Sequence, residues 1–203
     1  MIRILDILLS SIGLILTLPL MLIITVLILV DSRGGIFFCQ IRVGKNGKDF
    51  RLIKFRTMAT GAEQKGGLTV GTRDSRITRI GCFLRKYKLD EIPQLINVLI
   101  SDMSMVGPRP EIRKYVEMYS DEQKKVLSVR PGMTDYASIE YMNENEILGR
   151  STDPERTYIE DIMPSKIKLN MKFIDNPTIG NYFSIIWKTA ISIFISRLYS
   201  SFS

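Results

Sequence analysis

The first thirty residues are the strongest constraint on what this chain can fold into. From Ile4 to Val30 the sequence is almost entirely Leu, Ile and Val, interrupted by Asp6, a few hydroxyl residues, Gly13 and Pro19. As a straight helix at about 1.5 Å per residue, such a segment would cross a hydrocarbon core about 30 Å thick. It is too long for the apolar part of a signal peptide and lacks a small-residue cleavage site, so we expect it to be retained.

The flanks of this segment leave two paths through the membrane open. Basic residues lie on both sides of it: Arg3 before, and Arg33, Arg42, Lys45 and Lys48 after. Because Lys and Arg tend to stay in the cytoplasm, both ends are expected there. The step Leu18-Pro19 removes a backbone hydrogen bond and bends a helix. The residues alone fit equally a re-entrant helix that turns at Leu18-Pro19 and a spanning helix with a proline kink.

Charge and composition narrow the partners and exclude several mechanisms. The chain has 203 residues, one domain's worth, with a formal charge of +7 and a pI near 9.4, so anionic partners are expected. No nucleic-acid-binding motif is found, and the apolar N-terminus favours an anionic membrane surface or a phosphorylated substrate. Histidine is absent, which excludes histidine-activated serine or cysteine nucleophiles and histidine-based zinc sites.

Two short blocks carry the chemistry. Asp90 and Glu91 stand side by side before Pro93, at the start of an apolar periodic segment, and Arg85, Lys86 and Lys88 precede them. Paired carboxylates beside basic residues are typical of a metal-assisted phosphate site. Further along, Arg109 lies between two prolines that fix the chain on either side of its guanidinium.

Each of these residues also has a plain structural interpretation. Without context, Asp90 would be an ordinary helix N-cap and Glu91 an acid in the first turn. Adjacent helical residues point about 100° apart, so the two need not share one role. Lys54 and Arg56 alternate on a predicted strand and would face the same side, where they could contact phosphate or simply be solvated.

Together these blocks resemble the signature of the bacterial sugar transferases, the small monotopic phosphoglycosyl transferases. The similarity extends over most of the chain and includes the segments 40–44, 54–58, 79–81, 88–99, 102–110 and 130–134. These enzymes transfer a phospho-sugar from a nucleotide sugar to a polyprenyl phosphate, and their N-terminal helix is re-entrant. One departure follows Thr134, where Asp135-Tyr136-Ala137-Ser138 stands in place of the commoner Gly-Trp-Ala-Gln. The identity of the sugar therefore stays open.

The resemblance implies a role for each candidate residue. Asp90 occupies the position of the family's nucleophilic aspartate, and a carboxylate that attacks phosphorus forms an acyl phosphate. Glu91 would help to hold or balance Mg²⁺, with Asp90 as the other metal ligand. The expected substrate-binding residues are Lys54, Arg56, Arg109, Glu111 and Arg130. Of these, Glu111 would either brace Arg109 or be exposed.

The remaining patterns predict an α+β, helix-rich, compact domain. Residues 34–55 alternate as in a hairpin with its turn at Asn46-Gly47, and residues 59–74 indicate a Gly-rich surface loop. Helical periodicity covers 77–99 and 111–129. Residues 179–202 predict either an amphipathic helix in the membrane interface or a core-packing helix. We divide the chain into a membrane helix at 1–31 and a catalytic domain at 32–203 on the cytoplasmic face of the inner membrane.

The predicted function is transfer of a sugar 1-phosphate from a UDP-sugar to undecaprenyl phosphate, with release of UMP and a requirement for Mg²⁺. Membrane lipids are expected partners and nucleic acid is not. Two alternatives stay open: a membrane-bound Mg²⁺-dependent phosphatase or nucleotidyl transferase, and a non-catalytic membrane adaptor. The particular UDP-sugar, the glycan pathway and the oligomeric state are not specified by the sequence.

Overall fold

The computed structural model describes residues 1–62 and 74–200. The strands within these ranges are β1 (Phe37–Val43), β2 (Asp49–Phe55), β3 (Ser104–Val106) and β4 (Gly132–Thr134). The α-helices within them are α1 (Ile2–Asp31), α2 (Arg79–Lys86), α3 (Gln94–Leu99), α4 (Arg113–Val116), α5 (Tyr136–Glu140), α6 (Glu144–Arg150), α7 (Pro154–Thr157), α8 (Met163–Ile174) and α9 (Ile179–Ser200). The predicted α+β, helix-rich class with a small sheet is confirmed. The predicted loop at 59–74 lies mostly outside the described residues.

The hairpin forms where the alternation predicted it. Strands β1 and β2 pair antiparallel from Phe37 opposite Phe55 to Val43 opposite Asp49. The turn between them is a short 3₁₀ segment in which Asn46 and Gly47 have φ values of 57° and 73°. Asn and Gly accept this left-handed conformation more readily than other residues, so the predicted turn is confirmed.

A second, parallel pair of strands positions the proline-flanked arginine. Ser104 lies opposite Gly132, and Val106 opposite Thr134. At the end of this pair the two chains approach closely, and a β-carbon on Gly132 would lie 2.1 Å from the backbone nitrogen of Gly107. Because only glycine fits there, the loop after Gly107, which carries Arg109, is held against β4.

Helix α1 packs against the rest of the fold along its whole length. Near its start, the Arg3 guanidinium donates to the carbonyl oxygen of Leu99 (3.0 Å) and to Ser101 Oγ (2.7 Å). At its end, the Asp31 carboxylate accepts from the amide of Ile80 (3.1 Å). Its buried residues form one stripe: Asp6, Ser10, Met21, Ile24 and Ile28. Among the described helices it is the one long and apolar enough to cross a membrane, and its other faces expose Leu, Ile and Val.

Asp6 is a buried carboxylate in this otherwise apolar helix. Only 2% of its surface is exposed. It accepts hydrogen bonds from Ser104 Oγ (2.9 Å), the Met105 amide (2.9 Å) and the Tyr182 hydroxyl (2.8 Å). Arg3 lies 3.8 Å from its other oxygen. A buried charge is tolerated when it is paired and hydrogen-bonded, so Asp6 fixes α1 to both β3 and α9.

The proline step lies on the exposed side of α1. Leu18 and Pro19 are both exposed, and the helix continues through them. Pro19 leaves the carbonyl of Ile15 without its usual donor. The nearest hydroxyl, that of Thr17, donates instead to the carbonyl of Gly13 at 2.7 Å. Whether α1 is re-entrant or spanning stays a prediction.

The two predicted long helical segments are each interrupted. Helix α2 ends at Lys86, and Lys88 adopts a left-handed backbone (φ 56°) before a 3₁₀ turn at Leu89–Glu91. Pro93, which has no N–H to donate, then precedes α3. The helical periodicity over 77–99 therefore corresponds to two helices separated by a 3₁₀ turn, and α3 begins at Gln94, shortly after the helix start indicated at Asp90.

The predicted helix over 111–129 is also divided, into α4 and a 3₁₀ segment at Gln123–Ser128. The Ser120 hydroxyl accepts from the amide of Gln123, and the Gln123 side chain accepts from the amide of Ser120. This reciprocal capping begins a new helical turn in the middle of the segment.

The C-terminal helix has one buried face and one exposed face, and its predicted place in the membrane interface stays a prediction. In α9, Tyr182 and Ile185 are fully buried and pack with Val106. Trp187 and Phe194 of the same helix are largely exposed. One face is therefore core, while the opposite side presents aromatic residues, the arrangement expected of a helix at a membrane interface.

Candidate active site

The two neighbouring carboxylates lie on the 3₁₀ turn between α2 and α3. Asp90 is 7% exposed, and the Glu91 side chain is also mostly buried. The N-cap residue of α3 is Pro93, and no side chain caps that helix. The alternative interpretation of Asp90 as an N-cap is therefore not what the fold shows.

Glu91 is held by two cations. Its Oε1 lies 3.0 Å from Lys54 Nζ and 2.5 Å from Arg109 Nη2, and its Oε2 lies 3.3 Å from Arg109 Nη1. Burial raises the pKa of Glu91, but the charges of Arg109 and Lys54 outweigh it and hold the pKa well below its usual range. Glu91 in turn raises the pKa of Arg109. This group is therefore a fixed, ionised triad.

Asp90 differs from Glu91 because no described cation forms an ion pair with its carboxylate. Among the described residues it forms no side-chain hydrogen bond and no ion pair within 4 Å. Burial and then the charge of Glu91 raise its pKa, whereas the more distant charges of Lys54, Lys88 and Arg85 oppose that rise. Of the two adjacent acids, Asp90 is thus the one whose oxygens are available to react.

Asp135 fixes the backbone of Arg109. The Arg109 amide donates to Asp135 Oδ2 at 2.7 Å, and the side chain of Asn170 in α8 donates to the same oxygen at 3.1 Å. The other Asp135 oxygen caps α5 by accepting from the Ser138 amide. The sequence showed Asp135 only as a departure from the family pattern. Its carboxylate instead ties α5 and α8 to the loop that carries the site's arginine.

Lys54 and Arg56 do not share a partner. Lys54 reaches Glu91 from the end of the hairpin. Strand β2 ends at Phe55, and the buried guanidinium of Arg56 donates to the carbonyl oxygens of Ser32 (2.7 Å) and Arg33 (2.5 Å) just past α1. Lys54 and Arg56 therefore contact different parts of the fold, and phosphate binding by either residue stays a prediction. Arg56 holds the end of α1 beside the hairpin.

Glu111 binds a different arginine from the one proposed. It accepts from Arg42 Nη1 (3.2 Å) and from the Tyr158 hydroxyl, and not from Arg109. Arg42 also donates to the carbonyl of Pro110 at 3.1 Å, so this network braces the loop after Arg109 through its backbone. Burial, then the charge and hydrogen bond of Glu111, raise the pKa of Tyr158.

Arg130 lies at a separate turn of the fold. Its Nε donates to the carbonyl of Ser101 at 2.9 Å, on the turn that Arg3 also contacts. Substrate binding by Arg130 stays a prediction, and its observed contact is with the turn after α3.

A cavity of about 490 Å³ opens beside the triad. Its polar lining includes Lys88, Glu91, Arg109, Glu144 and Lys166. Lys166 and Glu144 pair at 2.8 Å, and neither belongs to a motif that the sequence would single out. The rest of the lining is mostly apolar: Ile92, Leu95, Met105, Met133, Ala137, Ile139, Met142, Ile186, Ala190 and Ile193. One cavity thus combines a cationic end with an apolar wall.

The donor set fits Mg²⁺ only with help from a substrate. Within the described ranges no group of three or more His, Cys, Asp or Glu side chains is placed to hold a metal. Mg²⁺ commonly takes one or two carboxylates and completes its shell with phosphate and water. Asp90 meets this need, whereas both oxygens of Glu91 are already engaged with cations.

The structure thus combines a long apolar helix, a buried carboxylate beside an ion-paired triad, and a cavity with a charged and an apolar part. The chain belongs to the bacterial sugar transferase family, whose sequence model matches residues 1–196. The family resemblance stated from the sequence is confirmed.

Named relatives agree with this assignment. The chain is 38% identical over 191 residues to a UDP-N-acetylgalactosamine-undecaprenyl-phosphate N-acetylgalactosaminephosphotransferase of Aeromonas hydrophila, covering 93% of this chain and 42% of the relative. It is 44% identical over 120 residues to a putative undecaprenyl-phosphate N-acetylgalactosaminyl 1-phosphate transferase of Bacillus subtilis, covering 59% of this chain and 67% of the relative. It is 30% identical over 211 residues to the exopolysaccharide production protein ExoY of Rhizobium meliloti, covering 95% and 84%. The chain thus spans about two fifths of the length of the Aeromonas relative.

Proposed function

We propose that this protein transfers a sugar 1-phosphate from a UDP-sugar to undecaprenyl phosphate and releases UMP, as a membrane step in surface-glycan assembly. The observation that carries the proposal is the Asp90 carboxylate, which has no ion pair in the described part of the chain and adjoins the Lys54–Glu91–Arg109 triad. Glu91 and Arg109 of this triad line a cavity that also has an apolar wall. The names of the relatives, which include undecaprenyl-phosphate sugar phosphotransferases, support the same substrates.

The reaction proceeds in two displacements. An Asp90 oxygen attacks the phosphorus that carries the sugar, and the bond from that phosphorus to the oxygen bridging the diphosphate breaks. UMP leaves with the electron pair, and the sugar phosphate remains on Asp90 as an acyl phosphate. A phosphate oxygen of undecaprenyl phosphate then attacks the same phosphorus, which frees the Asp90 carboxylate and gives undecaprenyl-diphosphate sugar.

The triad gives the charges around Asp90 fixed positions. Arg109, aimed by Asp135 and the two prolines, is placed to bind diphosphate oxygens with its fork. Glu91 orients Arg109 and Lys54, so the donors are arranged before substrate arrives. Mg²⁺, held by Asp90 and the substrate phosphates and by Glu91 if its ion pairs open, would neutralise charge on the diphosphate.

We place the protein on the cytoplasmic face of the inner membrane, with α1 re-entrant. Both ends of α1 bind the same body of the fold, Arg3 through the turn at Ser101 and Asp31 through the start of α2. A helix that crossed to the far side would have to carry one of these contacts through the bilayer. The basic residues flanking the segment favour the same arrangement.

The decisive experiment is a UMP-release assay with undecaprenyl phosphate, Mg²⁺ and a panel of UDP-sugars that includes UDP-N-acetylgalactosamine and UDP-glucose. The Asp90→Asn variant keeps the size of the side chain but loses the nucleophile, so we expect no turnover. The matched control is Asp121→Asn, because Asp121 is a fully exposed surface carboxylate. Labelled UDP-sugar without lipid should mark the wild type covalently and leave Asp90→Asn unmarked.

Other outcomes would select the alternatives. Release of inorganic phosphate in place of UMP would identify a phosphatase. Membrane binding with neither product would identify an adaptor. Wild-type UMP release by Asp90→Asn would remove Asp90 from the mechanism.

A further inference from the structure

We propose that the apolar part of the 490 Å³ cavity, between α3 and α9, binds the first isoprene units of the lipid acceptor while its phosphate lies at the cationic end. This inference rests on the proposed function, because it assigns the place of that reaction's second substrate. The occupant is a polyprenyl phosphate, a ligand with one anionic end and a long hydrocarbon chain.

The lining of the cavity matches such a ligand from end to end. Three cations, Lys88, Arg109 and Lys166, line the cavity together with two acids, Glu91 and Glu144, so its polar part keeps an excess of positive charge. Leu95 comes from α3, Met105 and Met133 from the paired strands, and Ile186, Ala190 and Ile193 from α9. A nucleotide sugar has no hydrocarbon chain that would fill this second part of the lining.

The arrangement of residues around α9 shows where the apolar part leads. At about 100° per residue, three faces follow one another around this helix. The buried face carries Tyr182 and Ile185, the cavity face carries Ile186, Ala190 and Ile193, and the exposed apolar face carries Phe183, Trp187 and Phe194. The cavity face lies between the core and the exposed face. A hydrocarbon chain in the cavity therefore leaves beside Trp187 and Phe194, where α9 would meet the bilayer.

The cavity volume, about 490 Å³, lies within the range of about 300–1,000 Å³ that is usual for sites that enclose a small ligand. The chain of a polyprenyl phosphate beyond its first isoprene units extends from the cavity into the membrane.

Helix α1 closes the other side of the apolar wall. A β-carbon on Gly13 would lie 3.1 Å from Leu95 Cδ1, so α1 packs directly behind the Leu95 side chain that lines the cavity. The membrane helix and the proposed lipid path thus share one wall. The acceptor can enter from the bilayer without passing through water.

A photolabelling experiment tests the location directly and needs no turnover. The probe is a polyprenyl phosphate with a diazirine on its second isoprene unit, mixed with the full chain in anionic phospholipid vesicles. We expect labels on the cavity residues of α3 and α9, lost on competition with undecaprenyl phosphate and retained with excess phosphatidylglycerol. Labels confined to the exposed faces of α1 and α9, or competed equally by phosphatidylglycerol, would overturn the proposal.

A kinetic comparison tests the same site by narrowing it. Ala190→Phe fills the rim of the cavity, whereas Ile191→Phe enlarges a neighbouring α9 residue outside the lining. We expect Ala190→Phe to raise KM for undecaprenyl phosphate about tenfold or more, with KM for the UDP-sugar close to that of the wild type. Ile191→Phe should leave both near wild type. Equal effects of the two variants on the lipid KM would overturn the proposal.

The two proposals fail in different ways. Specific labelling of α3 and α9 without any UMP release would reject the transferase and retain the lipid site. UMP release dependent on undecaprenyl phosphate, with labels elsewhere, would retain the transferase and reject this path.

Discussion

Replacing Arg109 with lysine separates the geometry of the guanidinium from its charge. Arginine makes two contacts with Glu91, at 2.5 and 3.3 Å, and lysine can keep only one of them. A hydrogen bond between charged groups contributes about 1.5–3 kcal/mol. Since 34% of the Arg109 side chain is exposed, solvent screening favours the lower value. Each 1.36 kcal/mol is about tenfold in rate, so we expect kcat/KM for UMP release to fall about tenfold or more.

Arg113 provides the matched control for this substitution. It also makes two hydrogen bonds to one carboxylate, that of Asp49, but on the surface and away from the cavity lining. Arg113→Lys should leave kcat/KM within about twofold of the wild type. Adding Glu91→Gln to Arg109→Lys completes a double-mutant cycle, in which the effect of the lysine should shrink. Near-normal kinetics in Arg109→Lys, or full additivity in the cycle, would refute the reasoning.

Three further predictions concern pH, stability and topology. Asp90 must be ionised to attack. Burial and the charge of Glu91 raise the pKa of Asp90 above 3.8, so kcat/KM should begin to fall with decreasing pH at a pH above that value. Because the charge of Lys54 lowers the pKa of Asp90, Lys54→Met should shift the fall in kcat/KM to a still higher pH. An unchanged pH profile would contradict the assignment of Asp90 as the nucleophile. Asp6→Ala leaves three donors without their acceptor, which lowers the free energy of unfolding by about 2 kcal/mol or more. The Tm in detergent should fall by about 4 °C or more. An unchanged Tm would show that the hydrogen bonds to Asp6 do not stabilise the fold. If α1 is re-entrant, single cysteines placed next to Arg3 and near Gly34 in a cysteine-free variant should react with a membrane-impermeant thiol reagent only after cell lysis. Labelling of the cysteine next to Arg3 in intact cells would indicate a spanning helix.

The parts of the fold that the sequence predicted are those set by local rules. The hairpin follows from alternation and an Asn46-Gly47 turn whose conformation those residues favour. The conformation of the chain between α2 and α3 was not predicted, because it depends on Lys88 in a left-handed backbone, which a lysine does not signal. Ser120 and Gln123 stand at the Ser-x-x-Gln spacing of a capping box, a local sign of a helix start that the interpretation of 111–129 did not use.

The sequence indicated which residues belong to the site but not which of them pair with one another. Asp90, Glu91 and Arg109 stand in recognisable blocks, but the ion pairs join Glu91 to residues 37 and 18 positions away, and sequence carries no measure of that proximity. Asp135 and Lys166 belong to no such block. Their positions follow from the packing of α5 and α8 against the arginine loop.

The hydrogen bond between Asp6 and Tyr182 joins residues 176 positions apart. Synthesis delivers α1 first, yet its carboxylate has no complete set of partners until β3 and then α9 have left the ribosome. An unpartnered carboxylate is costly inside a membrane. Helix α1 therefore cannot form all of its contacts independently of the rest of the fold. Contacts between residues this far apart in the sequence form late in folding. Docking of α1 onto the rest of the fold therefore waits for α9, and we expect a chain truncated before Tyr182 to leave Asp6 without one of its hydrogen-bond donors.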